Sequence, residues 1–163
     1  MFKFEELDAF TIVGFVKQIE LDKGKEMCPK FWNEVYEQYF SKLDDNSEIS
    51  KFIKDNNIGE YAVCIDNMND EYFIYMIGGL YKGGNIPEGF GVYTFNKSNW
   101  VKFTSKGPLP TSLQMLNTYV WDVWMKKFDI YELNGNASIE WYGEGDISSF
   151  NYESQIWLPI KRK

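Results

Sequence analysis

The sequence predicts an α+β protein built as two βαββ repeats in tandem, each with antiparallel strands and one long helix. Three observations carry this. Two segments place apolar residues at helical spacing. The other apolar segments are short, rich in β-branched and aromatic residues, and bounded by turn formers. Matching features recur about 80 residues apart in a chain of 163, and a fixed period with matched element order argues for duplication.

Phe10 to Val16 reads as the first strand. The first helix carries a stripe of Trp32, Val35, Tyr36, Tyr39, Phe40 and Leu43, one face of a 3.6-residue period. Pro29 is expected at its first turn, where a missing N–H costs nothing, and Asp44-Asp45-Asn46-Ser47 at its end. Tyr61–Ile65 and Tyr72–Ile77 flank Asp66-Asn67-Met68-Asn69-Asp70, a hairpin signal. Gly91–Phe95 and Trp100–Thr104 are strands around Asn96–Asn99. In the second helix Leu113, Leu116, Val120, Val123 and Trp124 form a stripe that Met115, Tyr119 and Trp121 widen. Pro108 and Pro110 precede it, and Thr111 or Ser112 is a candidate cap. Ala137–Tyr142 and Ser154–Leu158 close the chain around a Gly/Asp/Ser-rich loop.

Pro29 and Pro110 stand 81 residues apart, and Tyr75 and Gln155 stand 80 apart in the last strand of each half. The chain is expected to be a single domain, residues 1–163, made of repeats at about 1–86 and 87–163, with Ile86-Pro87-Glu88-Gly89 as the junction. Two small half-domains cannot each bury both sheet faces, so they are expected to share a core and leave a ligand cleft between them.

Charge and composition exclude several functions. Seventeen basic against 24 acidic residues give a net charge of −7, without the basic footprint that nucleic acid demands. Histidine is absent, which removes the commonest metal ligand and general base. Cys28 and Cys64 have no metal-ligand spacing. No apolar run approaches a membrane span, and the acidic start is unlike a signal peptide. These features predict a cytoplasmic protein with reduced thiols, without a cofactor, metal, nucleic acid or membrane as partner. Aromatic residues make up 18% of the chain: 13 Phe, 11 Tyr and 6 Trp.

The ending Glu153-Ser154-Gln155-Ile156-Trp157-Leu158-Pro159-Ile160 resembles the closing "E-[IV]-W-[IL]-P-[IV]" strand of the GyrI-like, or AraC-type, effector-binding domains. Ile139-Glu140-Trp141-Tyr142-Gly143-Glu144-Gly145-Asp146 resembles their "I-E-x-Y-x-x-G-D" strand and turn. Pro29-Lys30-Phe31-Trp32 and Gly107-Pro108-Leu109-Pro110 resemble the entries to their two helices. The resemblance implies two SHS2-like repeats with a ligand cleft between them. It also implies bulky, apolar, often cationic ligands of the multidrug type, in sensors linked to transcription or in stand-alone proteins. Some stand-alone relatives hydrolyse cyclopropane-containing natural products with a glutamate of the closing strand as base. That glutamate corresponds to Gln155 here, an amide that is no base at any pH, so the residues favour a binding module over an enzyme. The expected partner is therefore a small-molecule ligand; any regulatory protein partner is left unspecified.

Strand alternation assigns faces. Ile156, Leu158 and Ile160 point one way, under the helices. Glu153, Gln155 and Trp157 point the other, toward the ligand. Glu140 and Tyr142 share a face and match the family's pocket positions, so both are expected beside Gln155, with Glu140 as the surviving anion. Tyr75 is expected to mirror Gln155. Trp100, Trp121, Trp32 and Tyr36 are further candidates to wall the site, each with core packing as the alternative.

Overall fold

The computed structural model describes residues 1–44 and 46–163. In chain order it has β1 (Phe2–Leu7), β2 (Phe10–Glu20), α1 (Gly24–Gln38), a 3-10 turn (Phe40–Lys42) and α2 (Glu48–Asp55). Then follow β3 (Tyr61–Ile65), β4 (Tyr72–Leu80), β5 (Phe90–Phe95) and β6 (Ser98–Lys106). The chain ends with α3 (Thr111–Tyr119), a π turn (Val120–Trp124), α4 (Met125–Lys127), β7 (Tyr131–Leu133), β8 (Ala137–Tyr142) and β9 (Glu153–Arg162). The expected α+β class and antiparallel strands are both present. No helix among the described residues is long and apolar enough to cross a membrane.

The chain divides into two compact units, Phe10–Phe95 and Met1–Ala9 with Asn96–Lys163. In the first, the strand order is β3-β4-β2-β5. In the second it is β8-β9-β6-β1, with β7 beside β9. The duplication is visible in this matched order, yet the units do not break at residues 86–89. β5 leads into β6 but pairs with β2, whereas β1 leads into β2 but pairs with β6. Each repeat has exchanged its leading strand. A boundary drawn by sequence period cannot see this, because pairing follows register rather than chain order.

In the first unit α1 begins at Gly24, five residues ahead of the expected start, so Pro29 lies inside the helix. The helix ends at Gln38, well before Asp44-Asp45-Asn46-Ser47, of which Asp45 lies outside the described residues. Its buried residues are Phe31 and Val35 rather than Trp32 and Tyr36. α2 was not expected. Ser47 caps it, its hydroxyl oxygen accepting from the Ser50 N–H at 3.1 Å, and Phe52 and Ile53 are buried beneath it. The buried Asn56 holds the helix end in place. Its amide donates to Phe52 O at 3.0 Å, and its oxygen accepts from Lys82 N at 3.0 Å.

Glycine permits the tight sheet here. Gly14 pairs with Gly78 on one side and Gly91 on the other. A Cβ on Gly14 would lie 2.0 Å from Ile77 O, and one on Gly79 would lie 1.9 Å from Asn56 O. No side chain fits at either distance.

In the second unit Val101 and Phe103 of β6 and Ile156, Leu158 and Ile160 of β9 pack under Leu113, Val120 and Trp124 of the helical segment. This is the aliphatic face expected beneath the helix. Trp124 is fully buried and meets Phe2, Phe103, Phe128 and Tyr131 with ring centroids 4.7–6.4 Å apart. The residues expected to widen the helix stripe, Met115, Tyr119 and Trp121, face outward, and so does Val123, which was expected within the stripe; all four are exposed. No side chain caps α3. Instead the Ser112 hydroxyl donates to Gly107 O at 3.0 Å.

Candidate functional site

Register decides which expected site residues stand together. In antiparallel pairs, residues opposite one another share a face. In the second unit Lys102, Trp157 and Ile139 form one row, and Thr104, Gln155 and Trp141 the next. Trp100 and Pro159 form a row with Glu5, and Lys106 pairs with Glu153. All of these lie on the face turned away from α3.

This face is polar and aromatic, as the alternation in β9 predicts. The Trp157 indole N–H donates to Gln155 Oε1 at 2.7 Å, and the Gln155 amide donates to Thr104 Oγ1 at 3.2 Å. The amide thus accepts with one end and donates with the other, which a carboxylate cannot do. Trp100 meets Trp157 edge-on, centroids 6.4 Å apart, and both are buried. Lys102 places its ammonium 3.8 Å from the centroid of the Trp157 ring and 2.6 Å from Glu5 Oε2. The bond from Lys102 holds the Glu5 carboxyl below its ordinary pKa, against an opposing push from burial. Glu153 is exposed at the strand start.

Glu140 and Tyr142 do not join this group. Glu140 pairs with Ile156 and Tyr142 with Ser154, which puts them on the helix-facing side. There the Tyr142 hydroxyl donates to Glu140 Oε1 at 2.9 Å, and Tyr142 packs against the core under α3. The expectation that Glu140, Tyr142 and Gln155 share one wall is therefore corrected. Glu140 and Tyr142 do share a face of β8, but its register against β9 sets the absolute face, and a shift of one residue reverses it.

The same correction applies to Tyr75. It pairs with Lys17 and Cys64 on the face covered by α1, where the Trp32 indole N–H donates to its hydroxyl oxygen at 2.8 Å. Phe31 and Phe73 meet its ring edge-on. Tyr75 is thus a buried core residue facing its helix, whereas Gln155 faces away from its own. An 80-residue offset matches them in sequence but not in orientation. Tyr36 is 59% exposed and Trp121 39% exposed.

Sequence reasoning missed Lys102, Thr104 and Glu5. Lys102 and Thr104 sit within a strand that was recognised, and pairing them with the closing motif would have found them. Glu5 lies on β1, whose alternating Phe2-Lys3-Phe4-Glu5 was a legible strand signal. The glycine and aspartate of the "G-D" motif form a turn rather than a site: Gly145 has φ +109°, and Asp146 Oδ1 accepts from the Ser148 N–H and hydroxyl at 2.9 and 2.7 Å. Among the described residues no cluster of three or more His, Cys, Asp or Glu side chains is placed to hold a metal. Cys28 and Cys64 are half-buried and not joined in a disulfide. An open depression at the far end of β2 and β4, lined by Gln18, Glu20, Asp22, Asp70 and Glu71, includes none of the expected site residues.

Comparison with known proteins places the fold. A solved structure of SAV2435 bound to tetraphenylphosphonium is 23% identical, covering 99% of this chain and 94% of that one with a TM-score of 0.80. The integron cassette protein VCH_CASS2 of Vibrio cholerae is 14% identical over 98% of this chain and 95% of that one, TM-score 0.67. The C-terminal domain of EcmrR is 14% identical over 100% and 98%, TM-score 0.61. No curated protein matched. The profile of the Cass2 family, integron-associated effector binding proteins of GyrI-like fold, matches residues 3–160; the chain belongs to that family.

Proposed function

We propose that this protein binds bulky, largely apolar small molecules on the polar–aromatic face formed by Trp100, Thr104, Gln155 and Trp157, and acts as an effector-binding or sequestering module. The stacking of Lys102 on Trp157 carries the reading. The protein's own ammonium, 3.8 Å from the ring centroid, shows that this indole gains contact energy from a group set against its face, as it would from a ligand. Gln155 supplies orientation without charge. Its oxygen is tied to Trp157 and its amide to Thr104, so the ring is held in one pose before any ligand arrives, which lowers the ordering cost of binding.

Two further observations support this. The chain belongs to a family described by effector binding, and a neighbour of similar fold carries tetraphenylphosphonium. With a net charge of −7 and no basic footprint, these 163 residues are not the ones that would contact DNA in any link to transcription. Gln155 leaves this face without a general base at the position where hydrolytic relatives hold a glutamate.

The test is titration of tetraphenylphosphonium and neutral triphenylphosphine oxide, followed by tryptophan fluorescence, on wild type, Gln155→Glu and Trp157→Phe. Trp157→Phe should weaken binding about tenfold, since a ring-face contact is worth about 0.5–2 kcal/mol. Gln155→Glu should tighten the phosphonium alone. Affinities unmoved by both substitutions would put the site elsewhere.

A further inference from the structure

The face around Trp157 is not electrically ordinary for this chain. Across its four rows, from Glu5–Trp100–Pro159 to Lys106–Glu153, the charged residues in register are Glu5 and Glu153 against Lys3, Lys102 and Lys106. An acidic protein therefore presents one face of its second unit with more cations than anions. The central cation is the best placed of them. The Lys102 side chain is 12% exposed, its ammonium lies against the Trp157 ring, and Glu5 Oε2 stands 2.6 Å away. Gln155, in the next row, is already engaged by Trp157 and Thr104.

We propose that Lys102 sets the charge selectivity of this face: its ammonium occupies the cation position over Trp157, so the native protein favours neutral aromatic ligands over permanent cations. The inference rests on the ligand-binding reading above and names the class of ligand that reading leaves open. A cation approaching the ring must first displace a tethered one, and it meets Lys3 and Lys106 on the same face. A neutral aromatic ligand can meet Trp157 without breaking the Lys102–Glu5 pair. With Lys102 removed, Glu5 and the bare indole form an anion-and-ring pair suited to a cation.

The experiment compares affinities for tetraphenylphosphonium and triphenylphosphine oxide, which share three phenyl arms and differ in charge and in a fourth phenyl replaced by oxygen, so the readout is the change in their ratio between variants. It uses wild type, Lys102→Met and Lys102→Arg, with Lys102→Gln as a second neutral variant should the methionine protein not fold; each variant's thermal midpoint is recorded first. The expected result is a shift of the phosphonium-to-oxide affinity ratio by tenfold or more toward the phosphonium in the neutral variants. The arginine variant, which keeps a cation there, should hold the ratio within threefold. A neutral variant with the wild-type ratio, or an arginine variant that shifts with the neutral ones, overturns the selectivity inference alone. Failure of both probes to bind any variant overturns the binding reading, and this inference with it.

Discussion

Each unit holds a lysine over an aromatic ring and beside a glutamate, but one arrangement faces the helix of its own unit and the other faces away from its helix. In the first unit Lys17 lies 5.4 Å from the Phe31 ring and 3.0 Å from Glu34, both partners coming from α1. In the second, Lys102 lies 3.8 Å from the Trp157 ring and 2.6 Å from Glu5, both partners coming from neighbouring strands. The Lys17 side chain is 33% exposed and that of Lys102 12%. The first arrangement clamps a helix to its sheet, and an ion pair so exposed contributes about 0–1 kcal/mol. The second lies on the face its helix leaves uncovered. Similar residue types therefore serve packing in one repeat and, on the proposal made above, a ligand face in the other, and the side of the sheet separates the two roles.

If that division is right, the largest effect of breaking the first arrangement falls on stability. Phe31→Ala should cost about 3–5 kcal/mol, the usual loss for a buried aromatic, measured by urea denaturation. Where the variant folds, its ligand affinities should stay within threefold of wild type. A smaller effect sharpens the contrast: Tyr75→Phe removes the acceptor of the Trp32 indole and should cost about 1 kcal/mol, again without altering binding. A selective loss of affinity in either variant would make the first unit's interior part of the site.

The smallest effect is that of pH. The Glu5 carboxyl has its pKa lowered, chiefly by the bond from Lys102. A carboxylate depressed in the folded state stabilises the protein above its unfolded pKa, about 4.5. That stability is lost as pH falls through the lower folded value. Wild type should therefore exceed Glu5→Gln in thermal midpoint at pH 7, and the two should converge below the carboxylate range. A gap that stays constant on acidification would mean that the Lys102–Glu5 pair does not form in solution.

Much of this was legible in the amino acids. β3 and β8 begin and end at the residues expected from their β-branched and aromatic runs. Ile156, Leu158 and Ile160 were assigned to the core by alternation alone. What failed was whatever depends on pairing between distant segments. The exchange of β1 and β5 leaves no local mark, because each strand is equally content beside any partner of suitable register. The face of Glu140 hangs on a single residue of register against β9, and the orientation of Tyr75 on the same kind of choice. Pro29 misplaced the start of α1 because proline also occurs within helices, where packing offsets its lost hydrogen bond. α2 was legible in principle, from Ser47 as cap and Ile49, Phe52 and Ile53 at helical spacing.

The central claim is that ligand contacts Trp157 on the face turned from the helix. Fluorine NMR of protein labelled with 5-fluorotryptophan tests it directly, with the Trp157, Trp100, Trp124 and Trp32 resonances each assigned by its loss in the corresponding single Trp→Phe variant. Adding triphenylphosphine oxide should move the Trp157 resonance, and that of Trp100 beside it, while Trp124 in the core beneath the helix stays fixed. Binding that shifts Trp124 or Trp32 and leaves Trp157 and Trp100 unmoved would contradict the account.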